Sequence, residues 1–180
     1  MLLKHPTSLE ETLTLQKAGG TRKSIRVLVV EDYEPWRRYF STALQKDPEL
    51  QVIGEVSDGL EAVQKAEELQ PDLILLDIGL PTLNGIEAAR RVREVSPTSK
   101  ILFVSENRSP DIAEEALGTG AGGYVVKSDA RSELLPAVKA VLEGKRFISA
   151  SLAGQFLVTT ALSTTQTVLP WTVILISAMR

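Results

Sequence analysis

Cysteine is absent from all 180 residues, which excludes disulfides and thiolate metal sites and suits a reducing compartment. Cytoplasmic localisation is therefore the expectation. Histidine is nearly absent too: the single imidazole, His5, precedes Pro6 in the N-terminal segment and reads as a solvated side chain rather than a catalytic base. Excess positive charge is also missing. A net charge of -3 with 24% charged residues gives no sign of a polyanion-binding surface. The first residues contain no apolar stretch long enough for a signal-peptide core, and Glu10 with Glu11 argues against a transit peptide. Residues 1–24 read as a flexible extension jointed at Gly19 and Gly20.

From Ser24 onward the chain alternates. Apolar runs at 25–30 (IRVLVV), 51–56 (QVIGEV), 72–77 (DLILLD), 100–105 (KILFVS) and 122–126 (GGYVV) read as strands. Between and after them, 35–46, 60–70, 85–95, 112–119 and 131–143 read as helices. Leu60, Val63 and Leu69 are expected on one buried stripe of the second helix, and Leu134, Val138, Val141 and Leu142 on one of the last. Pro35 suits a first helical turn, Asn84 an N-cap and Gly144 a helix stop. Five such β-α units predict an α/β fold, a doubly wound five-stranded parallel sheet in the order 2-1-3-4-5. Such sheets bind ligands at their carboxyl edge, in this order between the first and third strands.

The polar residues fall on that edge. The first strand ends in Glu31 and Asp32, the third in Asp77, the fourth in Ser105, and Lys127 lies just past the fifth. In LILLDIGLPTLNG, a strand of four aliphatic residues delivers Asp77 to the edge and then breaks into a Gly- and Pro-containing loop. Each residue alone has an ordinary explanation, as a helix-start acid, a turn serine or a surface lysine. Five such residues at four strand ends do not. Three converging carboxylates must either raise their pKa values or hold a cation, and oxygen-only ligands without Cys or His suit a hard ion of the Mg²⁺ kind.

The set VVED, LLDIGLPTLNG, FVS and GYVVK resembles the receiver (CheY-like) domain of bacterial two-component response regulators over roughly residues 25–145. The resemblance implies that Asp77 is the phospho-acceptor and that a sensor histidine kinase is the donor partner. It implies that Glu31, Asp32, Asp77 and the backbone carbonyl of Gly79 hold Mg²⁺, while Lys127 and Ser105 meet the phosphoryl oxygens. It assigns Ser105 and Tyr124 as the switch pair, and the face from the fourth to the fifth helix as a homodimer or partner surface. The chemistry implied is Mg²⁺-dependent self-phosphorylation and autodephosphorylation rather than turnover of a separate substrate. Three departures stand out: Ser128 where proline is common, Ser105 where threonine is commoner, and Glu106 where a small residue is usual. A bulky acid there is expected to restrict access to Asp77 or repel a phosphoryl donor.

The stretch ALGTGAGGYVVKSDARSELLPAVKAVLEGKRFIS is most similar to receivers of LuxR-type regulators, which continue into a helix-turn-helix module. Only 34 residues follow Arg146, with Arg180 the sole charge among them, so DNA binding is not expected of residues 146–180, nor any known output domain. A truncated LuxR-type transcription regulator remains the alternative. The final apolar stretch, interrupted by Pro170, is shorter than the ~20 residues of a spanning helix, which argues against a membrane role. An Asp-nucleophile phosphatase would need a second Asp where Gly79 stands. A flavodoxin-like cofactor site would need a hydroxyl- and glycine-rich loop where EDYEPW stands.

Overall fold

The computed structural model describes residues 24–154. Strands β1 (Ile25–Val30), β2 (Leu50–Val56), β3 (Leu73–Leu76), β4 (Lys100–Ser105), β5 (Gly123–Val126) and β6 (Phe147–Ile148) form one sheet in the order β2-β1-β3-β4-β5-β6. Every neighbouring pair is parallel. Helices α1 (Glu34–Leu44), α2 (Gly59–Leu69), α3 (Gly85–Val95), α4 (Pro110–Gly118) and α5 (Ala130–Leu142) cross over between strands. The doubly wound order expected from the sequence is present, with a sixth strand of two residues added beside β5. A pair of residues without an apolar run of its own gives no strand periodicity to read.

The continuous apolar runs follow from burial on both faces of a parallel sheet. Leu28, Val30, Ile74 and Leu76 pack with Ala62, Ala66, Ile86, Ala89 and Val92 on one side. Their alternates Val27, Val29, Leu73 and Leu75 pack with Phe40, Leu44, Leu134, Val138 and Val141 on the other. At these positions of β1 and β3 neither face meets water, so no polar alternation is needed.

Local chemistry sets the helix starts. Pro35 sits in the first turn of α1, and the Asn84 side chain accepts the Glu87 amide at 3.0 Å to start α3. Asp58 caps α2, accepting from the amides of Leu60 at 2.8 Å and Glu61 at 3.2 Å. That cap fixes a helical phase in which Gly59, Ala62 and Ala66 face inward. Leu60, expected on the buried stripe, is instead 40% exposed, while Val63 and Leu69 pack at the margin of the core. Gly144, at φ 79°, follows the end of α5.

Past residue 145 the folded body continues. The Ser149 amide donates to the Tyr124 carbonyl at 2.9 Å, its hydroxyl accepts the Val126 amide at 2.9 Å, and the hydroxyl donates to Glu133 at 2.5 Å. Residues 150–154 are helical and Leu152 is fully buried. The N-terminal extension through residue 23 and the tail from residue 155 lie outside the described residues. Among the described residues no helix is long and apolar enough to cross a membrane.

Candidate functional site

The carboxyl edge of the sheet gathers Glu31, Asp32, Asp77, Ser105 and Lys127. The ladder carries the first two carboxyl-bearing strand ends into place: the Glu31 amide donates to the Val56 carbonyl at 3.0 Å and the Asp77 amide to the Val30 carbonyl at 2.9 Å. Gly85 makes the turn after Asp77 possible, since a Cβ there would lie 1.9 Å from the Asp77 carbonyl oxygen. Only glycine admits that approach. Gly79, which is exposed, lies beside the acid, its Cβ position 3.5 Å from Asp77 Oδ2.

Glu31, Asp77 and Lys127 are buried, at 0%, 5% and 5% exposure, whereas Asp32 is exposed. Lys127 Nζ donates to Glu31 Oε1 at 2.9 Å and lies 3.2 Å from Asp77 Oδ2. It is also 2.8 Å from Glu31 Oε2. That second oxygen has this ion-pair contact and no hydrogen bond besides. One carboxylate atom from each of Glu31, Asp32 and Asp77 falls within 4.8 Å of the others.

Two buried carboxylates thus share one ammonium. Burial pushes the Glu31 carboxyl up to about 7; the Lys127 hydrogen bond opposes this and the neighbouring charge of Asp77 adds to it. Burial likewise raises Asp77, against the opposing charge of Lys127 and the amides of Ile78 and Gly79. The arrangement carries more buried negative charge than its lysine neutralises, which is the electrostatic condition for holding a divalent cation.

The other residues expected here are also at this edge. Ser105 is buried and its hydroxyl accepts the Asn107 amide at 3.2 Å. Tyr124 is fully buried, its phenol donating to the Asn107 carbonyl at 2.9 Å, and burial raises its pKa. Glu106 is exposed and accepts from Trp36 Nε1 at 3.4 Å. The Trp36 ring lies 5.9 Å from Lys127 Nζ and stacks on Phe40 at 5.4 Å. Neither Trp36 nor Arg37, which donates to the carbonyls of Glu31 and Asp32, was singled out by the sequence. Both lie in the first turns of α1, directly after the acidic pair, and that position is the one signal that could have drawn attention to them.

A doubly wound sheet with acids, a hydroxyl and a buried lysine at the carboxyl edge defines the class: an α/β protein whose strand order reverses between β1 and β3. The family follows. The model of the response regulator receiver domain matches residues 27–139, and the chain belongs to that family of two-component response regulators. The chain is 35% identical to the response regulator GacA of Pseudomonas viridiflava over 131 residues, 73% of this chain and 61% of that protein. It is 34% identical to the transcriptional regulatory protein DegU of Brevibacillus brevis over 124 residues, 69% of this chain and 52% of that one. The chain therefore spans about three fifths of the length of the first curated relative it matches. Among solved structures, a LuxR-family two-component response regulator from an Aurantimonas species superposes with a TM-score of 0.74 at 30% identity, covering 77% of this chain and 99% of that one. The receiver domain of the response regulator NarL from Mycobacterium tuberculosis gives 0.65 at 31% identity, covering 68% and 99%.

Proposed function

We propose that the chain is a phosphoryl-accepting switch in which Asp77 takes the group from a sensor histidine kinase, with Mg²⁺ as cofactor. The observation that carries this reading is the buried Glu31–Lys127–Asp77 set, in which two carboxylates share one ammonium beside the carboxylate of Asp32. Glu31, Asp32 and Asp77 each offer a carboxylate oxygen within 4.8 Å of the others, and among the described residues no His or Cys joins the group. That donor set fits a hard divalent ion, and in this reading the Gly79 carbonyl supplies a further oxygen. When bound, Mg²⁺ supplies charge neutralisation for the transferring phosphoryl oxygens.

Asp77 Oδ attacks the phosphorus of the kinase's phosphohistidine; the P–O bond forms as the P–N bond breaks, and the imidazole leaves with the electron pair and takes up a proton. Lys127, held 3.2 Å from Asp77 Oδ2, is positioned to pair with the incoming negative charge. The Ser105 hydroxyl rotates to donate to a phosphoryl oxygen, and Tyr124, joined to Asn107 two residues beyond Ser105, carries that change toward the surface. Water then hydrolyses the acyl phosphate and resets the switch. We place this cycle in the cytoplasm, with output by homodimerisation or partner binding.

The curated relatives run on beyond the matched part, and one is named a transcriptional regulatory protein, which favours a second reading, a LuxR-type receiver that governs transcription. Incubation with Mg²⁺ and acetyl phosphate, followed by intact mass, tests the chemistry beside Asp77→Asn. Gain of one phosphoryl mass by the parent alone is expected. An equal gain by both proteins, or none by the parent, sinks Asp77 as acceptor. A shift of random duplex DNA by the phosphorylated chain would favour the second reading.

A further inference from the structure

We infer that Arg37 is a positioning residue that holds the turn of Glu31 and Asp32 in the shape a divalent cation needs, an inference resting on the metal reading above. Its Nη1 donates to the Glu31 carbonyl at 2.7 Å and to the Asp32 carbonyl at 3.1 Å. One guanidinium nitrogen grips two successive peptide units, and those units bear the two acids.

The turn needs such a grip. Val30 is the last residue of β1, and past Glu31 the Tyr33 amide turns back to Glu31 Oε1 at 3.3 Å rather than to a neighbouring strand. The three carboxylates meanwhile crowd within 4.8 Å, and like charges at that spacing drive the turn away from Asp77. Arg37 opposes this from behind. Its charge is permanent and its Nη1 bonds backbone oxygens, so Arg37 itself takes up no carboxylate oxygen of Glu31 or Asp32. Lys127 differs, because it occupies oxygens of Glu31 and Asp77 themselves.

The clamp is itself anchored to the sheet. Arg37 Nε lies 3.9 Å from Glu55 Oε2 on β2, and Glu55 Oε1 accepts from Ser41 Oγ at 2.7 Å. Ser41 is four residues beyond Arg37 on α1, so both reach the same face of the helix and the same carboxylate. The Arg37 side chain is only 21% exposed, which limits how far it can swing from the two carbonyls.

Calorimetric titration of the whole chain with MgCl₂ tests the role. Arg37→Met keeps the side chain's reach and removes its donors, and the expected dissociation constant is about tenfold weaker, the low end for loss of a group that orients metal ligands. Arg37→Lys, which keeps a charged donor, recovers most of that loss. Arg38→Met removes the neighbouring guanidinium, which is exposed and paired with Glu34 rather than with the acidic turn, and retains the parent's affinity; thermal midpoints are recorded beside each titration. Parent-like binding by Arg37→Met, or an equal loss in Arg38→Met, overturns the role of Arg37 and leaves the metal site standing. A parent that takes up no Mg²⁺ overturns the metal site and the role of Arg37 with it.

Discussion

Replacing Glu31 by glutamine should stabilise the metal-free protein at alkaline pH, although it removes a buried ion-pair partner. Burial holds the Glu31 carboxyl near 7 against an ordinary value of 4.5, so between those limits the folded state binds more protons than the unfolded chain. Stability then falls as pH rises through this window, the reverse of the usual paired carboxylate. At about 1.4 kcal/mol per pH unit, the ionised Glu31 costs the fold on the order of 3 kcal/mol once pH exceeds 7. A neutral amide at this position carries no such cost, and Lys127 keeps Asp77 at 3.2 Å as its partner. Urea unfolding in EDTA should therefore show Glu31→Gln more stable than the parent by about 2 kcal/mol at pH 8, a midpoint shift of about 1 M for an ordinary domain. The difference should vanish toward pH 5, where Glu31 is protonated in the fold. Saturating Mg²⁺ should reverse the order, since a ligand at a hundred times its dissociation constant adds about 2.7 kcal/mol to whichever protein binds it. If Glu31→Gln is the less stable protein at pH 8 in EDTA, the ion pair with Lys127 outweighs the burial penalty and the reasoning is wrong.

Three further outcomes are open to measurement. Glu106→Ala removes an exposed acid from beside Trp36 and should speed phosphorylation by acetyl phosphate about two- to fivefold, as expected for loss of one weak like-charge contact; an unchanged initial rate by mass spectrometry would clear Glu106 of obstruction. Gly85→Ala drives a methyl into the Asp77 carbonyl and should cost about 3 kcal/mol or more by urea denaturation, with loss of phosphorylation; near-parent stability would mean that the turn relaxes freely. Ser149→Ala leaves the buried Val126 amide without its acceptor and should cost about 1–3 kcal/mol; a thermal midpoint equal to the parent's would show that water takes the hydroxyl's place.

The carboxyl edge was legible because a parallel sheet buried on both faces writes each strand as an apolar run, and the first polar residue after the run marks its end. Asp77, Glu31, Asp32 and Ser105 were found in this way, and the structure brings them together with Lys127. Other features left weaker traces. The inward face of α2 depends on the phase set by the Asp58 cap, and leucine at position 60 says nothing about that phase. Arg37 bonds backbone carbonyls, which every residue possesses, so no complementary residue type betrays the contact. The approach of Trp36 to Glu106 joins positions 70 residues apart, on helix and loop, which only the strand order makes neighbours. Ser149 fills a hydrogen-bonding role at the end of β5 that a serine between Ile148 and Ala150 does not announce.

The sixth strand also constrains how two copies of the chain can meet. Without it, β5 would be a sheet border able to recruit another backbone by strand addition. Phe147 and Ile148 instead pair with Gly123 and Tyr124, and the Ser149 hydroxyl takes the Val126 amide one step further along. That border is filled by the chain's own backbone, two residues long and too short to serve as a broad template itself. Association at this end of the sheet is thereby steered toward side chains on helices, where shape and charge can discriminate partners, and away from main-chain pairing, which any extended peptide could satisfy.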